Sequence, residues 1–183
     1  MNNRITLAAI ILAAACGLAL ADSFSGRLML YPDWTHSKVT GASTVTETFD
    51  SFVDWTHTSG TNANQMNTIV RETTTLTNSE SKTINLAGGV TDSFGDATTF
   101  VTVRFLCLSC PTSNTNNITM GGGTNSWASW CGGTNNTLTV RPGGAIMLLA
   151  PDVTGYAVTD AALTMLNDGT NSTTYSLYIG GSE

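Results

Sequence analysis

The stretch that decides the fold is residues 135–152, NNTLTVRPGGAIMLLAPD. In its first half Leu138 and Val140 alternate with Thr137, Thr139 and Arg141, which is the period of a half-buried strand. Pro-Gly-Gly at residues 142–144 then breaks the chain, and residues 145–150 are apolar without a charge. A short apolar run between turn residues predicts a strand buried on both faces, although a buried helix has the same pattern. We therefore expect two strands joined at residues 141–144, packed at the centre of an all-β protein.

Charged residues are scarce in this chain: they make up 11% of 183 residues, against about 25% in an average soluble protein. Thr, Ser, Asn and Gly take their place, and these residues suit strand faces and turns. Thirteen acidic residues face seven basic ones, a net charge of −6. Binding to phosphates requires clustered Lys and Arg, so the composition argues against a nucleic-acid partner. Uncharged, Thr-rich surfaces are common on extracellular and particle-forming β proteins.

Residues 1–21 read as a secretory signal peptide, with one arginine, an apolar segment over residues 5–20 and the small-residue cleavage site ALA at residues 19–21. Cleavage would remove that arginine and leave 13 acidic against six basic residues, a net of −7, on a single domain at residues 22–183. Two alternatives stay open: a lipid on Cys16, or an uncleaved apolar membrane anchor. We expect a secreted or cell-surface protein, or a virion protein if the leader is not a signal.

Nine to eleven short strands are expected along residues 22–183, without an internal repeat or linker. The longest candidate, residues 98–109 (TTFVTVRFLCLS), carries apolar residues on both faces and is expected at the centre of its sheet. Asp168-Gly169 between apolar residues predicts a hairpin, and residues 90–95 (VTDSFG) predict one helical turn. Regular strand and turn spacing predicts a single-domain antiparallel β-sandwich of jelly-roll type.

Three cysteines follow the leader: Cys107, Cys110 and Cys131. The spacing of the first two is that of a redox or zinc motif. A redox CxxC opens a helix, whereas this one ends a strand, and a structural zinc needs four ligands. In an oxidising compartment one disulfide is expected, with one cysteine left over. The candidate pairs are Cys110–Cys131, Cys107–Cys131 and Cys107–Cys110, and the absence of a bridge is the remaining possibility.

An aromatic loop contains Trp127 and Trp130 beside Asn125, among Gly, Ser and Asn residues. The two rings, with Asn125, are candidates for an exposed platform that binds a sugar ring or a partner. The alternative is that the tryptophans plug one end of the sandwich.

The sequence DWTH occurs twice, at residues 33–36 and 54–57. One interpretation is a pair of equivalent metal sites built from Asp and His; the other is tryptophans that anchor strand ends in a Thr-rich chain. The sequence contains no G-x-S-x-G, no H-E-x-x-H and no P-loop. We therefore expect no catalytic residues, no cofactor and no metal site.

Six stretches occur in an order that is familiar from known proteins: GTNANQ at residues 60–65, NLAGGVTDSFG at 85–95, TFVTVR at 99–104, VRPGG at 140–144, LAPDVTGYAVT at 149–159 and TYSLYIG at 174–180. In this order they resemble small all-β structural proteins of tailed bacteriophages and related proviruses. The resemblance covers the chain from about Gly26 onward. It implies a virion-associated β-sandwich that self-associates or decorates a surface, and it carries no catalytic residues.

A phage protein that assembles in the cytoplasm has no use for a signal peptide, so the leader favours an assembly on a cell surface or outside the cell. We expect a non-enzymatic structural subunit that self-assembles or decorates a surface, with copies of itself, a capsid, a cell surface or a glycan as partners. The alternative is a secreted carbohydrate- or surface-binding module that uses the Trp-bearing loop.

Overall fold

A computed structural model of the protein describes most of the chain, namely residues 25–30, 33–40, 43–50, 53–92 and 94–183. The expected signal peptide at residues 1–21, with its alternatives of a lipid on Cys16 or a membrane anchor, lies outside the described residues.

The described part of the chain is all-β and contains no helix. Sixteen strands follow one another in that part: β1 (Ser25–Leu30), β2 (Asp33–Thr40), β3 (Ser43–Asp50), β4 (Val53–Ser59), β5 (Gln65–Met66), β6 (Thr68–Leu76), β7 (Ser81–Asn85), β8 (Ala87–Thr91), β9 (Ala97–Thr99), β10 (Thr102–Ser109), β11 (Ile118–Gly121), β12 (Thr137–Val140), β13 (Ala145–Leu149), β14 (Tyr156–Ala157), β15 (Ala162–Asn167) and β16 (Thr173–Ser182). The number exceeds the nine to eleven expected because several strands are very short and because the strand predicted over residues 98–109 is divided into β9 and β10.

Eight of these strands form the sandwich. The first sheet has the order β13-β10-β16-β6 and the second the order β12-β11-β15-β7, and all pairings within them are antiparallel. Strands that occupy the same place in the two orders, such as β10 and β11 or β16 and β15, follow one another along the chain. Each such connection therefore crosses from one sheet to the other, which is the arrangement of a jelly roll. The expected sandwich of jelly-roll type is confirmed.

The core lies between the two sheets and comes from the alternation of apolar residues along each strand. β10 buries Leu106 and Leu108 and turns Phe105 and Cys107 to the other face. The opposing second sheet contributes Ile118, Met120, Val140, Leu163 and Met165, all of which are buried. β10 pairs with β13 on one side and β16 on the other, so its predicted central position is confirmed.

The fold corrects three local expectations. β13, the apolar run at residues 145–149, is an edge strand and not a central one, and Met147 on its outer face is 40% exposed. The connection after Asp168 leads from the second sheet to the first, so it does not close a hairpin. The helical turn predicted at residues 90–95 is not found in the described part of that segment, since β8 and β9 pair as a hairpin in which Thr91 faces Ala97.

An arm of four strands, β1 to β4, precedes the sandwich. β1 pairs with β4 and β2 with β3, and both ladders have one register: Ser25 faces Thr58 and Asp33 faces Asp50, so the paired residue numbers add up to 83 in each case. The two ladders thus follow the pattern of a single antiparallel hairpin. β4 continues into a parallel pairing with β5, which connects the arm to the sandwich. In the described sheets β2 and β3 pair only with each other.

Candidate functional site

The arm root, residues 57–66, is the segment in which the end of β4 leads into β5. Arg104, which lies at an irregularity of β10, holds this segment in place. The pairing register between β10 and β16 shifts between Val103 and Phe105, which marks a β-bulge at the intervening residue. A bulge re-aims a side chain, and here it directs the Arg104 side chain to the segment between β4 and β5. Arg104 is only 1% exposed.

Four main-chain carbonyls accept hydrogen bonds from the Arg104 guanidinium. Nη1 donates to the carbonyls of Asn62 and Gln65, and Nη2 to those of Thr61 and Val153, the last at 2.9 Å. Burial lowers the pKa of the guanidinium, and the negative charge of Asp152 partly opposes this effect. No salt bridge to Arg104 is formed within the described part of the chain. The guanidinium therefore links the arm root to the loop after β13 through hydrogen bonds to uncharged acceptors.

His57 of β4 lies beside the Arg104 guanidinium. It is 2% exposed, and its Nε2 has no hydrogen-bond partner among the described residues. Burial lowers the pKa of the imidazole, and the positive charge of Arg104 lowers it further. The neutral form is therefore favoured, because a second positive charge here would be desolvated and repelled.

An apolar pocket opens where the arm root meets the outer face of the first sheet. Its volume is about 110 Å³, and it is lined by Gly26, Arg27, Leu28, His57, Met66, Ile69 and Phe105. Met66 can lie over the sheet because Gly180 has no side chain: a Cβ there would be 2.7 Å from the Met66 sulfur. At the rim Arg27 forms an ion pair with Asp54 at 2.6 Å, which raises the pKa of Arg27 and lowers that of Asp54.

A polar cluster closes the side of the sandwich between β6 and β7. The buried Tyr175 hydroxyl donates to Glu72 Oε1 at 2.5 Å, and Lys82 Nζ lies 3.0 Å from Glu72 Oε2. Burial opposes the charge of Glu72, but hydrogen bonds from Tyr175, Lys82 and Thr74 outweigh it, and the pKa of Glu72 is lowered. Burial and the same carboxylate raise the pKa of Tyr175. The hydrogen bond and the ion pair of Glu72 therefore connect β6 and β16 of the first sheet to β7 of the second sheet.

The aromatic loop is folded into the end of the sandwich. Trp127 has no exposed surface, its Nε1 donates to the carbonyl of Ala157 at 3.0 Å, and its ring packs edge-on against Tyr156 with centroids 6.3 Å apart. Trp130 is partly buried, 6.5 Å from Trp127 between ring centroids, and Asn125 is exposed. Of the three tentative binding residues, Trp130 and Asn125 reach solvent, and Trp127 serves as the plug that was the alternative.

The expected disulfide is absent, because Cys107, Cys110 and Cys131 are all free. Cys110 directly follows β10, at the end of the sandwich where its backbone N–H donates to the carbonyl of Gly144. Cys131 lies in the β11–β12 connection, at the opposite end. Cys107 and Cys110, three residues apart, have opposite parity along the strand, and burial raises the pKa of both thiols. None of the three candidate pairs is therefore formed.

The two DWTH stretches occupy different strands, residues 33–36 on β2 and residues 54–57 on β4. The side chains of Asp33 and His36 lie outside the described residues. In the second stretch, Asp54 pairs with Arg27 and His57 is buried at the arm root. Within the described ranges no three His, Cys, Asp or Glu side chains come together in a way that would hold a metal ion.

Sequence reasoning missed the residues around which this site is built. The bulge that frees Arg104 leaves no mark in the hydrophobic pattern, and His57 was considered only as a metal ligand. A usable signal was present: an arginine within an otherwise apolar strand must find several acceptors when it is buried.

No helix in the described part of the chain has the length and apolar character that crossing a membrane requires. No family model matches the chain, and neither a curated protein nor a solved structure matches it. The function has to be inferred from the arm, the pocket and the surfaces of the sandwich alone.

Proposed function

We propose that the chain is a non-enzymatic structural subunit, exported or virion-associated, which assembles with copies of itself to form a coat, a filament or a surface decoration. The observation that carries this proposal is the arm, since its distal strands β2 and β3 pair only with each other in the described sheets. A two-stranded hairpin alone is marginally stable in water. Contact with a second subunit would supply the missing neighbours.

The outer faces of the sandwich support the same proposal. On the second sheet the outward residues are hydroxyl-bearing over much of the surface, with cross-strand pairs Thr83–Thr164 at 3.1 Å and Thr119–Thr139 at 3.2 Å. Such side chains satisfy one another and carry no charge. Bringing two such faces together therefore avoids the desolvation of ionised groups, which is the costly part of forming a contact.

Sedimentation velocity over a wide range of concentration tests this proposal. The purified protein is expected to form defined larger species or polymers as its concentration rises, and electron microscopy of the same samples is expected to show ordered particles or filaments. A protein that remains monomeric at all concentrations would contradict the proposal.

The alternative function, a secreted carbohydrate- or surface-binding module, is favoured only by the partly exposed Trp130 and by Asn125 in the same loop. A glycan array with the wild type and Trp130→Ala distinguishes it. Binding that disappears in the variant would support this function, and a blank array with the wild type would count against it.

A further inference from the structure

One side chain stands out on the surface of the sandwich: Phe94 is 84% exposed, more than any other large apolar side chain of the described residues. It lies in the turn between β8 and β9. Asp92 Oδ1 accepts hydrogen bonds from the backbone N–H groups of Phe94 at 2.8 Å and of Asp96 at 2.9 Å. These hydrogen bonds hold the backbone on either side of the ring, so mainly the Phe94 side chain has to be ordered at the moment of binding.

The pocket beside the arm root has the character that would accept such a ring. It is lined mainly by the apolar surfaces of Leu28, Met66, Ile69 and Phe105, and its volume is about 110 Å³. An engineered apolar cavity of about 150 Å³ takes up benzene. The pocket here is open on one side, so a phenyl ring can enter partly and leave its Cβ at the rim.

The charges at the two places are complementary. The turn has Asp92 and Asp96 on either side of Phe94 and no basic residue between Thr91 and Ala97. At the pocket rim the charge of Arg27 is already compensated by Asp54. The neighbouring Arg71 lies two residues from Ile69 on the same face, with its guanidinium 5.5 Å from the ring centroid of Tyr178. Arg71 has no salt-bridge partner in the described part of the chain.

We propose that Phe94 of one subunit inserts into the pocket of a second copy of this chain, with the acidic turn facing Arg71. This inference rests on the proposed self-assembly and names its contact. The two surfaces are different parts of the subunit, so the interface is heterologous. Repetition of such a contact gives a ring if the rotation closes and a filament if it does not.

The test uses two variants that remove one side of the contact each. Phe94→Ser removes the ring and leaves the pocket intact, and Ile69→Lys places a charged side chain in the pocket and leaves the ring intact. Each variant alone is expected to lose assembly, with a dissociation constant raised about 30-fold or more, as for an interface hot spot. An equimolar mixture of the two is expected to form dimers that grow no further.

Val101→Ser is the matched control, since Val101 is another exposed apolar residue, at 59%, and is expected to leave assembly unchanged. Thermal melts check that the variants fold, and Leu28→Lys on β1 serves as a second pocket variant if Ile69→Lys is unstable. Wild-type assembly that persists unchanged in Phe94→Ser, or a mixture that yields no dimers, would overturn this contact and leave the proposed function standing. A wild type that never assembles would overturn both.

Discussion

The sandwich and the arm are built from the same kind of strand but differ in what surrounds those strands. In the sandwich each sheet has four strands in succession and covers the other with buried apolar side chains. In the distal arm, β2 and β3 have only each other in the described sheets, and the described side chains there, Thr35, Ser37, Thr44, Thr46 and Thr48, are exposed. The buried apolar contacts of the described chain lie in the sandwich, and in the proposed assembly a second subunit would supply the contacts that the distal arm lacks.

The largest expected effect breaks the sandwich. Trp127→Ala removes a ring with no exposed surface and leaves a cavity, so we expect a loss of about 3–5 kcal/mol in the free energy of unfolding. Denaturant unfolding measures it, with Val101→Ala as the exposed control. A midpoint equal to that of the wild type would mean that the tryptophan does not plug the end of the sandwich.

The next effect separates the arm from the sandwich. Arg104→Met keeps much of the side-chain volume but removes the donors to four carbonyls. Thr61, Asn62 and Val153 are exposed residues, so water can replace part of what their carbonyls lose. Since a carbonyl left without any donor costs about 1–3 kcal/mol, we expect a loss of at least about 2 kcal/mol and faster amide exchange over residues 60–66.

Arg104→Lys is the matched control for this variant, because it keeps the charge but has fewer donors in a different geometry; a partial loss is expected. Equal stability of Arg104→Met and the wild type would mean that the guanidinium does not stabilise the arm root.

A smaller effect concerns the cluster of Tyr175, Glu72 and Lys82 between the two sheets. Tyr175→Phe removes the hydroxyl that donates to Glu72, and we expect a loss of about 1–2 kcal/mol near neutral pH. The folded-state pKa of Glu72 is lowered, so its stabilisation is present above the unfolded pKa, near 4.5, and is lost as the pH falls through the folded pKa. The variant should therefore lose less stability than the wild type between neutral and acidic pH.

The smallest expected effect is a pH dependence at the arm root. The pKa of His57 is lowered from 6.5, so its contribution is present above pH 6.5 and is lost as the pH falls toward the folded pKa, with a slope of at most about 1.4 kcal/mol per pH unit. Protection factors of the β4 amides at pH 7.5 and 5.5, corrected for the intrinsic pH dependence of exchange, measure it, and His57→Phe should remove the difference between them. An equal difference in that variant would assign the pH dependence to other groups.

The sequence predicted the architecture more successfully than the surfaces. Apolar residues on both faces predicted correctly that β10 is a central strand. The same pattern in residues 145–149 belongs to an edge strand, because the apolar content of a strand does not say whether it pairs with a second strand. Phe94 was expected in a helical turn beneath the sheet and instead lies at an exposed hairpin turn. The disulfide was expected from the cysteine number and the oxidising compartment, whereas the crossings between sheets place Cys110 and Cys131 at opposite ends of the sandwich.

The bulge at Arg104 depends on pairing between β10 and β16, two strands that are far apart in sequence. No local pattern encodes it, and the arm root could not be predicted for that reason. The pocket follows from the same long-range arrangement, since its lining comes from β1, β4, β5, β6 and β10.

Hydrogen exchange followed by mass spectrometry, on the same protein at dilute and at assembling concentrations, tests the central claim most directly. Amides of β2 and β3 are expected to exchange rapidly in the dilute monomer and to become protected on assembly, while those of β10 and β16 are expected to be protected in both states. Amides of β2 and β3 that are as protected in the monomer as those of the sandwich, or that gain no protection on assembly, would contradict the central claim.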